Sequence, residues 1–205
     1  MSKELDKLFP LESFIHGSYI DPKICDALIE KHKASDEKKP GVLTNGNVDV
    51  TQKDSVDLLC SPFPEGPPFT NYMGALQIVL NEYQKKYKEV GLLEPFHVRQ
   101  NWKIQYYRAG GGYKVWHHER NGPGKISHRC LVFMTYLNDV PDGGTEFKYQ
   151  KIIAPAKKGL TLIWPTDFTH THKGQRTRKY EKYIATGWFH YRCTDEYIAN
   201  EFFSR

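Results

Sequence analysis

Cysteine is sparse in this chain. The four that occur in 205 residues, Cys25, Cys60, Cys130 and Cys193, are widely spaced and include no Cys-x-x-Cys pair. That spacing offers neither a zinc knuckle nor a disulfide framework, and it fits a reducing compartment. Long apolar runs are missing too, so the sequence contains no candidate membrane span. Met1 to Lys7 is charged and lacks the apolar stretch of a secretion signal, which makes a cytoplasmic location the expectation. No internal repeat and no long low-complexity segment interrupts the chain.

What is present suits one domain with a core of its own. Hydrophobic residues make up 39% and aromatic residues 14% of the chain. The formal net charge is +5, and much of the excess lies in Lys31–Lys39 and Lys173–Lys182. A mild basic excess favours acidic partners. No nucleic-acid recognition motif accompanies it, so neither nucleic acid nor a membrane is the expected partner.

The pattern along the chain predicts a strand at Phe14–Ile20. A helix follows, with Asp21 as N-cap, Pro22 at its first position and an apolar stripe of Ile24, Leu28 and Ile29. Residues 41–68 show little periodicity, and Ser61–Pro68 reads as a loop. A second helix is expected over Phe69–Val90, where Met73, Leu76, Leu80, Tyr83 and Tyr87 recur at helical spacing. From Phe96 the pattern turns to strands: Phe96–Tyr107, Tyr113–His117, Arg129–Leu137, Thr145–Tyr149, Ile152–Ala154, Leu160–Trp164, Thr169–His172 and Glu181–His190. Short strands punctuated by turns argue for a sandwich or barrel, with the helices covering one sheet. Thr194–Phe203 is a candidate short helix. The whole chain, 1–205, is expected to be a single domain: a helical and looped part at 1–95, a strand-rich core at 96–192 and a tail at 193–205.

The chemistry-bearing residues cluster in the strand-rich part. In His117-His118-Glu119, residues two apart on a strand point the same way, so His117 and Glu119 converge on one point and His118 faces away. The segment Phe168-Thr-His-Thr-His-Lys-Gly174 supplies a third ligand in His170 or His172. Both fall on one face of the expected strand, and geometry does not choose between them. Two histidines and one carboxylate on one side of a metal leave other positions open, the arrangement of non-haem Fe(II) oxygenases. The plainer alternative is a set of surface polar residues. On the last strand, Lys182, Ile184, Thr186 and Trp188 share a face. A lysine among such neighbours is costly to bury unless it meets an anion, and a bound dicarboxylate would supply one.

From about Ile104 to His190 the sequence resembles the prolyl 4-hydroxylase branch of the 2-oxoglutarate/Fe(II) dioxygenases. That family carries His-x-Asp, a distal His, and a Lys or Arg beyond it. His117, Glu119 and His172 fall on those positions, with Lys182 ten residues after His172, and this spacing favours His172 over His170. The strand after the first motif is matched by Arg129–Asn138, the Gly-Gly turn by Gly143-Gly-Thr-Glu-Phe147, and the closing strand by Lys182–Trp188. Glu119 departs from the pattern, since aspartate is commoner there.

The resemblance implies a mainly β fold with flanking helices, a double-stranded β-helix (jelly-roll) core with N-terminal helices packed on one sheet. It implies Fe(II) held by His117, Glu119 and His172, 2-oxoglutarate as cosubstrate, O2, and ascorbate in a supporting role. Lys182 would pair with the far carboxylate of 2-oxoglutarate. Tyr107 would contact the cosubstrate near the iron, Tyr136 and Thr186 would lie at the basic end, and Trp188 would line the wall by the metal. No catalytic side chain beyond the metal ligands is implied. The implied reaction is hydroxylation of a C–H bond with decarboxylation of 2-oxoglutarate to succinate, first of all as a peptidyl-prolyl 4-hydroxylase on a proline-containing peptide or protein. The loops Lys31–Gly46 and Ser61–Pro68 would frame the peptide, with Asn121–Gly124 beside the metal motif and Trp116 or Arg120 in contact with substrate. The alternatives are a free amino acid or small-metabolite hydroxylase, a nucleic-acid demethylase of the same superfamily, and a metal-free jelly-roll binding module.

Overall fold

The structure is a computed structural model that describes residues 2–43, 46–92, 95–122 and 126–191. The candidate helix at Thr194–Phe203 lies outside the described residues. Among the described residues there are three α-helices, interleaved with the first four strands: α1 (Ser2–Leu8), α2 (Pro22–Ala34) and α3 (Phe69–Lys86). Among the described residues no helix is long and apolar enough to cross a membrane.

Asp21 caps α2 as its position predicts. Its carboxylate accepts the Lys23 N–H at 2.8 Å, and Pro22 takes a position where no N–H is needed. α3 buries Tyr72, Leu76, Val79, Leu80 and Tyr83, a stripe at helical spacing. Each such side chain fully buried contributes roughly 1.5–3 kcal/mol, so this stripe is a main anchor of the helical layer. The helix stops at Lys86 rather than Val90, and a single 3₁₀ turn, Val90–Leu92, follows. α1 is short and largely charged, and its pattern does not announce it.

The described residues form thirteen strands, in chain order β1 (His16–Tyr19), β2 (Lys39–Pro40), β3 (Lys53–Asp54), β4 (Val56–Cys60), β5 (Phe96–His97), β6 (Trp102–Tyr107), β7 (Gly112–Tyr113), β8 (Arg129–Tyr136), β9 (Val140–Phe147), β10 (Ile152–Ala156), β11 (Leu160–Pro165), β12 (His172–Gly174) and β13 (Lys182–Tyr191). The major sheet runs β1-β11-β8-β13-β6-β4-β2, with β5 paired to β13. The facing layer consists of β10-β9-β12 and the pair β3-β7. A bridge between His117 and His172 joins the segment after β7 to β12. This is the jelly-roll arrangement with helices on one sheet.

β13 shows how one strand serves two layers. Tyr183, Ala185 and Phe189 pack toward the helices, while Ile184 and Trp188 belong to the cluster between the sheets. At Gly187, on the helix side, a Cβ would lie 2.5 Å from the Phe133 ring and 2.7 Å from the Trp102 Cβ, so glycine lets both aromatics close over the strand. A chain of buried hydroxyls ties the layers further: Tyr72 Oη and Thr135 Oγ1 at 3.0 Å, then Thr135 and Thr161 at 2.8 Å.

Three expectations need correction. The aperiodic stretch 41–68 contains β3 and β4, and β4 lies inside the major sheet next to β6. The strand expected at Tyr113–His117 is only Gly112–Tyr113, and His117 and Glu119 follow in irregular chain. The strand expected at Thr169–His172 begins as a 3₁₀ turn, Phe168–His170, so β12 starts at His172.

Candidate metal centre and cosubstrate pocket

His117, Glu119 and His172 converge between the two sheets, with one ligand atom from each lying within 4.8 Å of the others. The local cause is pairing rather than strand alternation. His117 and His172 exchange backbone hydrogen bonds at 3.0 and 2.9 Å, and the Glu119 N–H reaches the Thr166 carbonyl at 3.0 Å. These bonds place the three side chains on one point although Glu119 is outside any strand.

The ring hydrogen bonds set the chemistry of the histidines. His117 Nδ1 lies 3.0 Å from the Val115 carbonyl, and His172 Nδ1 lies 2.8 Å from the His170 carbonyl. A carbonyl only accepts, so Nδ1 of each ring carries the proton and each Nε2 presents a lone pair. Glu119 Oε1 sits 3.4 Å from His117 Nε2 and 3.6 Å from His172 Nε2. The other oxygen, Oε2, accepts the Trp188 indole N–H at 3.0 Å. Glu119 therefore offers one oxygen inward and is held by the other. Burial pushes its carboxyl up, but hydrogen bonds and charge from His117 and His172 overcome this and keep it well below the usual range. Burial first, and then the neighbouring His117, favour neutral His172, the form that ligates a metal. The donor set fits Fe(II): two imidazole nitrogens, one carboxylate oxygen and no thiolate.

His170 takes no part. Its Nε2 lies 3.0 Å from the Ser13 carbonyl and its Nδ1 lies 3.0 Å from the Thr169 hydroxyl, so both nitrogens are engaged outside the cluster. His118 is not in the cluster either. The Tyr113 ring stacks on His117 with centroids 3.7 Å apart, and Trp164 stands at right angles to His172 at 5.1 Å.

A cavity of 360 Å³ opens from these ligands, and Tyr107, Tyr136, Lys182, Thr186 and Trp188 all line it. Lys182 is 5% exposed. Its ammonium donates to the carbonyls of Gly143 at 2.8 Å and Gln175 at 3.2 Å, and it forms no ion pair among the described residues. Burial pushes it down to about 8. The expected Gly-Gly turn is strand instead: Gly143 and Gly144 lie within β9, and a Cβ at Gly144 would collide with the Ala154 carbonyl of β10, so glycine lets the two strands close there.

The remaining residues divide. Tyr107 pairs with Lys182 across β6 and β13, its ring 5.4 Å from the ammonium and its hydroxyl donating to Gln105 at 3.0 Å. Tyr136 donates to Thr145 at 2.6 Å. The Thr186 hydroxyl donates to the Phe133 carbonyl at 3.0 Å. Trp188 does more than form a wall, since it holds Glu119 and carries the Arg129 guanidinium 3.4 Å over its ring. Arg120 pairs with Asp167 at 2.6 Å, and Trp116 lies beneath the Lys173 ammonium at 4.2 Å. Of the two framing loops, residues Val42, Leu43 and Gly46 of the first line the cavity.

Sequence reasoning missed a polar group on the same wall: Lys53, Lys103 and Gln105, joined through Asp57. It also missed Arg129, which donates to the Glu119 carbonyl at 3.1 Å and to Gln100 at 3.0 and 3.2 Å. The period-two pattern Lys103-x-Gln105-x-Tyr107 was a signal that these residues share a face.

The fold and the site together define a class. Residues 102–190, which carry every ligand named above and Lys182, match the family model of the 2OG-Fe(II) oxygenase superfamily. That segment is similar to the superfamily, and the cluster of two histidines and one carboxylate lies within it. Solved structures share the fold. A prolyl-4-hydroxylase from Pseudomonas putida superposes with a TM-score of 0.66 at 17% identity, over 94% of this chain and 100% of that one. A viral collagen prolyl hydroxylase from Paramecium Bursaria Chlorella virus-1, solved with 2OG, gives 0.64 at 17% identity over 87% and 97%. A Trichoplax adhaerens prolyl hydroxylase, solved with a hypoxia inducible factor oxygen degradation domain peptide fragment, gives 0.67 at 11% identity over 92% and 90%. Comparison of the sequence with curated proteins gives no match.

Proposed function

We propose that this protein is a 2-oxoglutarate- and Fe(II)-dependent dioxygenase that hydroxylates a prolyl residue of a peptide or protein, with His117, Glu119 and His172 as metal ligands and Lys182 as the partner of the far carboxylate of 2-oxoglutarate. One observation carries the reading: a buried ammonium with no counter-ion among the described residues faces the same cavity as two Nε2 lone pairs and a carboxylate oxygen. A dicarboxylate answers both ends at once, satisfying the lysine charge and reaching the metal. The peptide part of the reading is supported by the fold shared with enzymes that carry the prolyl hydroxylase name, one of them solved with a peptide. We read 1–205 as one dioxygenase domain, the 1–95 part supplying helices and cavity-rim residues to the 96–192 core.

When bound, Fe(II) and 2-oxoglutarate supply the oxidising chemistry that puts oxygen on the substrate and releases succinate. The chain does the rest. The Val115 and His170 carbonyls hold both imidazoles in the ligating tautomer, and Trp188 orients Glu119. Lys182 fixes the cosubstrate by charge. Ile184, Met134 and Val132 keep the cavity wall apolar and exclude water.

The test is succinate release by anaerobically purified protein given Fe(II), 2-oxoglutarate and oxygen, with and without proline-rich peptides. The expected result is peptide-stimulated turnover and a product heavier by one oxygen, both lost in His172→Ala. Metal-dependent turnover that no peptide stimulates would overturn the prolyl assignment and keep the oxygenase.

A further inference from the structure

The cavity has a second cationic wall that the cosubstrate leaves untouched. Asp57, on β4, is 4% exposed. It receives Ser55 Oγ at 2.7 Å, Lys53 Nζ at 2.9 Å and Gln105 Nε2 at 3.0 Å. Lys103 Nζ approaches the same carboxylate at 3.5 Å, the longest of the four contacts. Two ammonium groups thus share one carboxylate.

The two lysines are not equivalent. The Lys53 side chain is 4% exposed and reaches the Val42 carbonyl at 3.4 Å in addition to Asp57. The Lys103 side chain is 16% exposed, lines the cavity, and has Asp57 as its one polar partner among the described residues. The surplus positive charge therefore lies with Lys103 and faces the cavity. A surplus of one unit suits a monoanion.

The strand ladder separates this charge from the one at Lys182. Lys182 stands opposite Tyr107, whereas Lys103 stands opposite Thr186, four positions further along β13. At strand rise the two backbone positions are about 13 Å apart. Trp188, the next cavity-facing residue after Thr186, holds Glu119, so Lys103 belongs to the metal end. With one carboxylate of 2-oxoglutarate on Lys182 and the other on the metal, none remains for Lys103. Arg129 is already engaged by Glu119 and Gln100.

We propose that Lys103 is a substrate-binding residue that receives a carboxylate carried by the substrate close to the carbon that is hydroxylated. This rests on the oxygenase reading above. The carboxylate is either the side chain of an acidic residue beside the target residue of a peptide, or the carboxylate of a free imino acid.

The probes are two pairs. One is N-acetylated, C-amidated Ser-Pro-Glu-Gly against Ser-Pro-Gln-Gly, and the other is L-proline against L-prolinamide. Binding is measured by calorimetry on protein loaded with Mn(II) in place of Fe(II) and saturated with 2-oxoglutarate, and hydroxylated product is then sought with Fe(II). The carboxylate member of at least one pair is expected to bind about fivefold or more tightly than its neutral twin. Lys103→Met should erase that ratio and Lys103→Arg should restore it, with thermal melting confirming that both variants fold. The pair that shows the ratio identifies the source of the carboxylate. Equal binding within both pairs, or a ratio that survives in Lys103→Met, overturns the proposal. A charge ratio without any hydroxyproline product leaves the Lys103 subsite standing and removes the prolyl assignment.

Discussion

Lys182 and Lys53 line the same cavity at 5% and 3% exposure, yet only Lys53 has a carboxylate beside it. Burial lowers the pKa of both. Asp57 opposes that shift at Lys53, whereas among the described residues Lys182 has two carbonyl dipoles and the Tyr107 ring but no carboxylate. An ammonium buried beside its own carboxylate is part of the architecture. One buried without a counter-ion is a cost to the free protein that a bound anion removes. On the proposed reading, the contrast separates a lysine kept for the fold from a lysine kept for a ligand.

The strongest way to break the comparison is Lys182→Met. It should weaken 2-oxoglutarate binding about 100-fold or more, because a buried charge partner is worth roughly 2–5 kcal/mol. The melting temperature should hold or rise, since the variant removes an unpaired buried charge. Calorimetry and thermal melting read the two effects, and a large loss of stability with unchanged cosubstrate affinity would reverse the assignment. Lys53→Met should do the opposite. It leaves Asp57 without its closest cation, so it should cost about 3 kcal/mol in denaturant unfolding while 2-oxoglutarate affinity stays near wild type.

The pH dependence sharpens the same contrast. Lys182 loses its proton near pH 8 in the free protein, and only the ammonium pairs with a carboxylate. Cosubstrate affinity should be flat below that pH and fall about tenfold per unit above it. Tyr107, whose ring lies 5.4 Å from the ammonium, and Tyr136, which lines the same cavity, are pushed by burial well above their ordinary range and stay protonated through this window. In Lys182→Arg the guanidinium remains charged, so the fall should disappear from titrations between neutral and alkaline pH. The smallest expected effect is at Trp188→Phe, which removes the indole donor to Glu119 while keeping an aromatic wall. Metal affinity should drop about tenfold, and an unchanged metal titration would show that the hydrogen bond does not orient Glu119.

Much of the site was legible because β13 keeps a strict two-residue period. Lys182, Ile184, Thr186 and Trp188 face the cavity, as their alternation requires. The cluster of His117, Glu119 and His172 was legible by type and spacing as a candidate ligand set, but not by the local geometry first ascribed to it. Glu119 meets His117 through the bridge to His172 and the bond to Thr166, not through strand alternation. The choice between His170 and His172 is physical in the structure. A 3₁₀ turn carries His170 toward Ser13, and β12 begins only at His172. The β3–β4 region was opaque for a different reason. Lys53, Ser55 and Asp57 are polar residues in a stretch without periodicity, and they are buried because they satisfy one another.

By itself the sequence determined the strand-rich core, the helix cap at Asp21 and the residue types that converge on a metal, because these depend on period, turn chemistry and local spacing. Spacing in the resemblance favoured His172 over His170, but only the tertiary structure showed why its ring faces the cluster, that Lys182 has no counter-ion among the described residues, and that Lys53 and Lys103 share Asp57. Those properties arise from groups brought together across sheets. The free energy of a buried charge depends on which neighbours surround it, and no local pattern in the chain encodes that.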